Sequence, residues 1–414
     1  MKFSTLKTLS VLRFLTIILI AAQFAGCKER AKPYVIMLSL DGFRWDYPDL
    51  YETPHLDRIA ERGVRAKSLK PSFPTKTFPN HYTIVTGLYP DHHGIVLNSF
   101  YDPDMNAYYS VGDRTSVENP EFYGGEPIWR TAEQQGIISA SYFWVGSEAP
   151  IQGSFPTYWK RYEHEFPFTQ RMDSVISWLK LPDSKRPHLI TWYIHEPDSR
   201  GHDLGPFHPE MGHLTHYLDS LIGLFMQRIE ELPMADQINI IITSDHGMGE
   251  TSSERWINLS EYVDPDWFQN IQGSNPNYNL QVLPEYYDSA WLLLQTIPHV
   301  RVWKMGTMPE RFHYGYHSRV TDFILMADSS WIVSWRETPL TAFTGGSHGY
   351  DNRNTDMHAI FYAYGPAFRE GLVHPTFENI HIYPLICKIL DLQPAKVDGD
   401  IKYVDGMLKP RIGQ

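Results

Sequence analysis

Three apolar runs, each ending in residues that can bind a cation, constrain this chain more than any other feature. Tyr34-Val-Ile-Met-Leu-Ser-Leu40 leads into Asp41-Gly42, His188-Leu-Ile-Thr-Trp-Tyr-Ile194 into His195-Glu-Pro-Asp198, and Ile238-Asn-Ile-Ile-Ile-Thr243 into Ser244-Asp245-His246-Gly247. Continuous apolar runs of strand length, closed by turn residues, predict strands buried on both faces, as in a parallel sheet. Between them Pro54 to Arg62, Glu126 to Gln135, Phe168 to Leu179 and Pro209 to Glu231 carry apolar residues three or four apart, the period of a helix. The alternation predicts an α/β fold: a doubly wound, mostly parallel sheet with helices on both faces, whose ligands sit beyond the strand carboxyl ends. From about Thr251 to Thr344 the rhythm breaks into aromatics, prolines and short β-like pieces such as Ala290 to Leu294 and Asp322 to Met326. That stretch predicts a smaller lobe inserted into a main domain spanning 33–414.

A chain of 414 residues exceeds what one core usually supports, which also favours a body plus a lobe. Thirty-six Lys and Arg against 48 Asp and Glu give a formal charge of -12. A broad basic surface for a nucleic-acid polymer is therefore disfavoured, while a small anion could still be held by metal. The two cysteines, Cys27 and Cys387, cannot make a disulfide framework. Lys2, Lys7 and Arg13 precede the apolar run Phe14 to Ala22, followed by Phe24-Ala25-Gly26-Cys27. This is the layout of a secretion signal over residues 1–26, with 27–32 as a short tether. Ala25-Gly26-Cys27 is similar to a bacterial lipobox, in which the cysteine is lipidated; a plain signal peptide or an uncleaved anchor is the alternative. The lipobox reading implies an exported chain, lipid-anchored to a bacterial membrane and facing the periplasm or the cell surface.

A zinc or hard-cation site needs carboxylates and imidazoles converging from separate elements, and the strand ends supply Asp41, Asp198, Asp245 and His246. His202 follows Asp198 at i+4, on one side of a turn if that stretch is helical. Taken singly, an Asp before Gly is usually a turn former and a lone His a satisfied packing residue. Three strands ending alike favour the metal reading. The segment Pro74-Thr-Lys-Thr77-Phe-Pro79 predicts a loop feeding a helix with Thr77 at the N-cap, where a hydroxyl also faces free N–H groups and the positive end of the dipole. A threonine hydroxyl is a poor nucleophile unaided, so metal coordination is its plausible activator. Gly-flanked His348 precedes a further buried strand, and His92-His93 reads as loop surface or local packing.

Together these pieces resemble the nucleotide pyrophosphatase/phosphodiesterase family of the alkaline phosphatase superfamily. Leu40-Asp41-Gly42-Phe43-Arg44, Pro74 to Tyr82 with Thr86-Gly87-Leu88-Tyr89-Pro90, Glu196-Pro-Asp198-Ser-Arg-Gly-His202, Ser244-Asp245-His246-Gly247-Met248 and Gly346-Ser-His348-Gly-Tyr350 carry the resemblance. It implies two zinc ions, one held by Asp41, Asp245, His246 and the Thr77 hydroxyl, the other by Asp198, His202 and His348. It further implies Thr77 as nucleophile, Asn98 as the amide on a phosphoryl oxygen, and Phe78 and Tyr162 as the rings sandwiching the nucleobase or other leaving-side moiety. The activity so implied is hydrolysis of nucleotide phosphodiester or pyrophosphate bonds to nucleoside 5'-monophosphates.

Other readings remain open. Phosphodiesterases for lipid or choline headgroups share the metal chemistry, and a phosphomonoesterase usually adds a cationic group, which is not identifiable in the sequence. A sulfatase needs a Cys or Ser convertible to an aldehyde where Thr77 stands, which argues against it. A non-catalytic binding lipoprotein has no need of the threonine. Oligomeric state is not legible.

Overall fold

The computed structural model describes residues 32–335 and 344–410. The expected signal, tether and Cys27 fall outside the described residues except for Lys32. In chain order the body contains β1 (Tyr34–Leu40), α1 (Pro54–Arg62), β2 (Val64–Ala66), α2 (Thr77–Thr86), α3 (Ile128–Gln134), β3 (Ser139–Tyr142), β4 (Tyr158–Lys160) and α4 (Phe168–Leu179). It continues with β5 (Leu189–Ile194), α5 (Asp198–Leu204), α6 (Pro209–Glu230), β6 (Ile238–Thr243) and β7 (Gly249–Ser252). Then follow β8 (Phe268–Ser274), β9 (Asn277–Val282), α7 (Tyr287–Leu294), β10 (Val300–Lys304), β11 (Phe323–Ala327), β12 (Thr344–Ser347), β13 (Phe361–Tyr364), β14 (Leu372–His374) and α8 (Ile382–Leu390).

Eight strands form the main sheet in the order β14-β2-β13-β6-β1-β5-β3-β4. β1 lies between β5 and β6, parallel to both, so the three ligand-bearing runs are neighbours at the centre. β13 departs from the parallel pattern, running antiparallel to β6 and β2. Every residue of β1 is buried, and its side chains alternate between two cores. Val35 and Met37 pack with α2, α3 and α8 through Tyr82, Ile84, Trp129 and Leu385. Ile36, Leu38 and Leu40 pack with α1, α4 and α6 through Leu56, Val175, Leu218 and Phe225. The strand is therefore covered on both faces, the doubly wound α/β arrangement its composition predicts.

Residues 268–327 form a second sheet, order β8-β9-β11-β10, antiparallel throughout and with its own core around Leu280, Phe323 and Leu325. Here one sequence expectation is corrected: Ala290 to Leu294 is not β-like but the end of helix α7. Ala290 and Leu294, four apart, are buried, while Leu292 is exposed, so this short apolar run follows the helical period. Among the described residues no helix is long and apolar enough to cross a membrane.

Candidate active site

The carboxyl end of the sheet gathers the predicted ligands into two groups. In each group the candidate ligand atoms lie within 4.8 Å of one another: Asp41, Asp245 and His246 in one, Asp198, His202 and His348 in the other. β1 ends at Asp41, β6 runs into Asp245 and His246, and α5 carries Asp198 and His202 one turn apart. His348 follows β12, which pairs with β7 beyond β6. The groups adjoin, since the His246 and His348 rings stack with centroids 3.6 Å apart. Gly42 makes this approach possible. Its φ is +68°, and a Cβ there would sit 2.9 Å from the Asp198 Cα, so glycine is required on both counts.

The donor chemistry fits metal ions. Nδ1 of His202, His246 and His348 lies 2.9, 2.8 and 2.8 Å from the carbonyls of Gly346, Gly247 and Thr75. A carbonyl cannot donate, so Nδ1 carries the proton in each ring and Nε2 points inward as the potential ligand. Nε2 of His246 is ringed by oxygens: Asp245 Oδ2 at 3.0 Å, Thr77 Oγ1 at 3.2 Å and Asp41 Oδ1 at 3.5 Å. Asp41 Oδ1 and Asp198 Oδ1 are buried without a hydrogen-bond donor. Burial, then Asp245 and Asp198, raise the Asp41 carboxyl well above the usual range. Crowded carboxylates and inward imidazole nitrogens together call for cations, and this mixed oxygen and nitrogen set suits zinc.

Thr77 is the first residue of α2 and not its N-cap; that place belongs to Lys76, whose backbone is extended and whose side chain makes no cap bond. The cap comes from Asn98, whose Oδ1 accepts the Phe78 N–H at 3.0 Å. With the amide oxygen so used, Nδ2 of Asn98 is the free donor, and the Thr77 hydroxyl is left facing His246. Phe78 and Tyr162 are half-buried and held by different neighbours, Phe78 edge-on to Tyr109 and Tyr162 to Phe143. His93 is buried with Nε2 3.0 Å from Thr83 Oγ1, and His92 pairs with Asp398, so neither is a ligand.

Three supporting residues escaped the sequence reading. Tyr193 donates to Asp41 Oδ2 at 2.6 Å, a contact set by the pairing of Ser39 with Tyr193 across β1 and β5. His81 lies under the site with Nδ1 3.0 Å from the Thr77 carbonyl and 3.3 Å from Asp245 Oδ2, and Nε2 2.8 Å from Ser39 Oγ. Its i+4 spacing from Thr77 was the available signal. Lys76 is a buried cation whose Nζ donates to the Asn275 carbonyl at 2.6 Å. Burial pushes it down to about 8, with Asp198 opposing.

Two candidate ligand groups beyond the strand ends of a doubly wound sheet, with a hydroxyl at a helix start 3.2 Å from the first of them, define an alkaline phosphatase-like α/β protein. Residues 35–351 match the model of the type I phosphodiesterase/nucleotide pyrophosphatase family, and the chain belongs to that family. It is 37% identical over 385 residues to venom phosphodiesterase CdcPDE of Crotalus durissus collilineatus, covering 91% of this chain and 46% of the relative. It is 37% identical over 388 residues to human ectonucleotide pyrophosphatase/phosphodiesterase family member 1, covering 91% and 42%. The chain thus spans a little under half the length of these curated relatives. Among solved structures, murine ectonucleotide pyrophosphatase/phosphodiesterase 5, in an inactive threonine-to-alanine form in complex with AMP, superposes with a TM-score of 0.87 at 33% identity. That match covers 91% of this chain and 100% of the other.

Proposed function

We propose that this chain is a two-zinc phosphodiesterase and nucleotide pyrophosphatase, releasing nucleoside 5'-monophosphates through a threonyl-phosphate. The observation that carries the reading is the Thr77 hydroxyl, free of capping duty and 3.2 Å from His246 Nε2 at the edge of the first ligand group. Relatives named phosphodiesterase and nucleotide pyrophosphatase, and a similar structure in complex with AMP, support it.

Asp41, Asp245, His246 and Thr77 would hold one zinc, and Asp198, His202 and His348 the other. Bound there, the ions would supply Lewis-acid charge that lowers the pKa of a hydroxyl or water and neutralises phosphoryl oxygens. Thr77 Oγ1 attacks phosphorus, forming the Oγ1–P bond as the bond to the leaving oxygen breaks. Water then attacks the same phosphorus and Thr77 departs, taking a proton from that water, the proton it lost in the first step having gone to the leaving oxygen. One water is consumed overall. Asn98 Nδ2 donates to a phosphoryl oxygen as charge builds there. Phe78 and Tyr162 hold the base, which fixes the nucleotide's orientation and hence which P–O bond breaks.

Thr77→Ala tests this. Because Thr77 caps nothing, the expected stability change is within about 0.5 kcal/mol, whereas diester turnover falls at least about a thousandfold with metal content unchanged. Near-normal turnover would mean that water attacks directly.

A further inference from the structure

The wall that carries Tyr162 is more tightly built than a simple aromatic contact requires. The Tyr162 hydroxyl lies 2.8 Å from His164 Nδ1. The His164 ring in turn stacks on His195, with centroids 3.8 Å apart and planes 22° from parallel. The Tyr162 backbone N–H donates to Glu148 Oε2 at 3.0 Å, and Phe143 meets the ring edge-on with centroids 5.2 Å apart.

Phe143 has a φ of +67°, which a bulky residue adopts only where its surroundings over-determine it. Arg171 supplies that constraint. It is fully buried, and its guanidinium lies 4.9 Å from the ring centroids of both Phe143 and Phe168. It donates to the carbonyls of His164 at 2.8 Å, Phe166 at 2.9 Å and Tyr193 at 3.1 Å. The loop bearing Tyr162 is thereby tied to the end of β5, from which Tyr193 reaches Asp41. Burial pushes His195 down to about 3, so that ring is neutral at neutral pH, and burial pushes the Tyr162 hydroxyl up to about 12, so it remains a donor.

A ring that stacks on a flat ligand gains most when its plane is set before the ligand arrives, because ordering it afterwards subtracts from binding. We propose that His164 is a specificity-determining positioning residue: accepting the Tyr162 hydroxyl while stacked on His195, it fixes the plane of Tyr162 for an aromatic ligand of the nucleobase class. His164 need not touch the substrate. The inference rests on the nucleotide reading of the cleft given above.

The test compares thymidine 5'-(p-nitrophenyl phosphate) with methyl p-nitrophenyl phosphate, which share a leaving group but differ in the base. His164→Phe keeps a ring to stack on His195 and removes the acceptor; Tyr162→Phe removes the donor. Each is expected to raise KM for the thymidine ester about two- to tenfold, the worth of one hydrogen bond, with kcat nearly constant. The methyl ester's kinetics should not respond to His164→Phe, and the double variant should be no worse than either single one, since all three lack the same bond. A wild-type KM in His164→Phe, or losses that add in the double variant, overturns the role of His164. Tyr162→Ala separates the two levels. If it depresses the thymidine ester far more than the methyl ester while His164→Phe behaves as wild type, the inference fails and the nucleotide reading stands. If it depresses both esters equally, the nucleotide reading fails and takes the inference with it.

Discussion

His202 and His348 face each other with their Nε2 atoms 3.1 Å apart, each having committed its Nδ1–H to a main-chain carbonyl. Two neutral imidazoles held this way set lone pair against lone pair. A bound cation would relieve that opposition. Protein stripped by chelator is expected to take up two equivalents of zinc in a calorimetric titration, and His348→Ala one. Zinc at a hundred times its dissociation constant should stabilise the wild type by about 2.7 kcal/mol per site, seen as a higher Tm. Two tight equivalents in the variant would show that His348 is not a ligand.

His81 lies outside both candidate ligand groups yet links three groups, one of them the candidate ligand Asp245. With acceptors at Thr77 O and Asp245 Oδ2, its Nδ1 carries the proton, leaving Nε2 to accept from Ser39. His81→Ala would strand Asp245 and Ser39 in a fully buried place, at a cost of about 1–3 kcal/mol. The loss of an orienting partner should also weaken metal binding roughly 10- to 100-fold. Competition against a chelator of known affinity measures this, and an unchanged zinc affinity would reduce His81 to packing.

Much of this architecture is legible in the sequence, for physical reasons. β1, β5 and β6 are buried on both faces, so their apolar runs are unbroken and end where the ligands begin. Asp198 and His202 sit one turn apart on α5, as i and i+4 require. Contacts that depend on register were not legible: nothing in the local sequence says that Tyr193 lies opposite Ser39 and so reaches Asp41. The start of α2 differs from the sequence expectation because Thr77 has the side chain of an N-cap, whereas the cap is supplied from 20 residues away by Asn98. Ala290 to Leu294 is helical against expectation because a short apolar run fits either period until burial separates Leu292 from its neighbours.

Phe78 tests the aromatic cleft independently of the Tyr162 loop. Base-on-aromatic stacking contributes about 1–3 kcal/mol, so Phe78→Ala should lower kcat/KM for nucleotide esters roughly 10- to 100-fold. The methyl ester should lose far less. Equal losses on both would mark Phe78 as a packing residue against Tyr109 and favour lipid or choline headgroup diesters as substrates.

The proposed lipid anchor at Cys27 is separable from the chemistry. Cys27→Ala is expected to move the protein from the membrane fraction to the soluble fraction with its specific activity retained. A wild-type chain that fractionates as soluble, with no acyl group on Cys27 by mass spectrometry, would leave secretion alone as the reading of that segment.

The central claim is that Thr77 becomes covalently bonded to phosphorus, and the stereochemical course of hydrolysis tests it most directly. Each in-line displacement inverts the configuration at phosphorus. Hydrolysis of a single diastereomer of a nucleoside phosphorothioate diester in oxygen-18 water, with the product configuration read by phosphorus NMR, should therefore show net retention from two displacements. Net inversion would mean that water attacks the substrate in one step and that Thr77 is not the nucleophile.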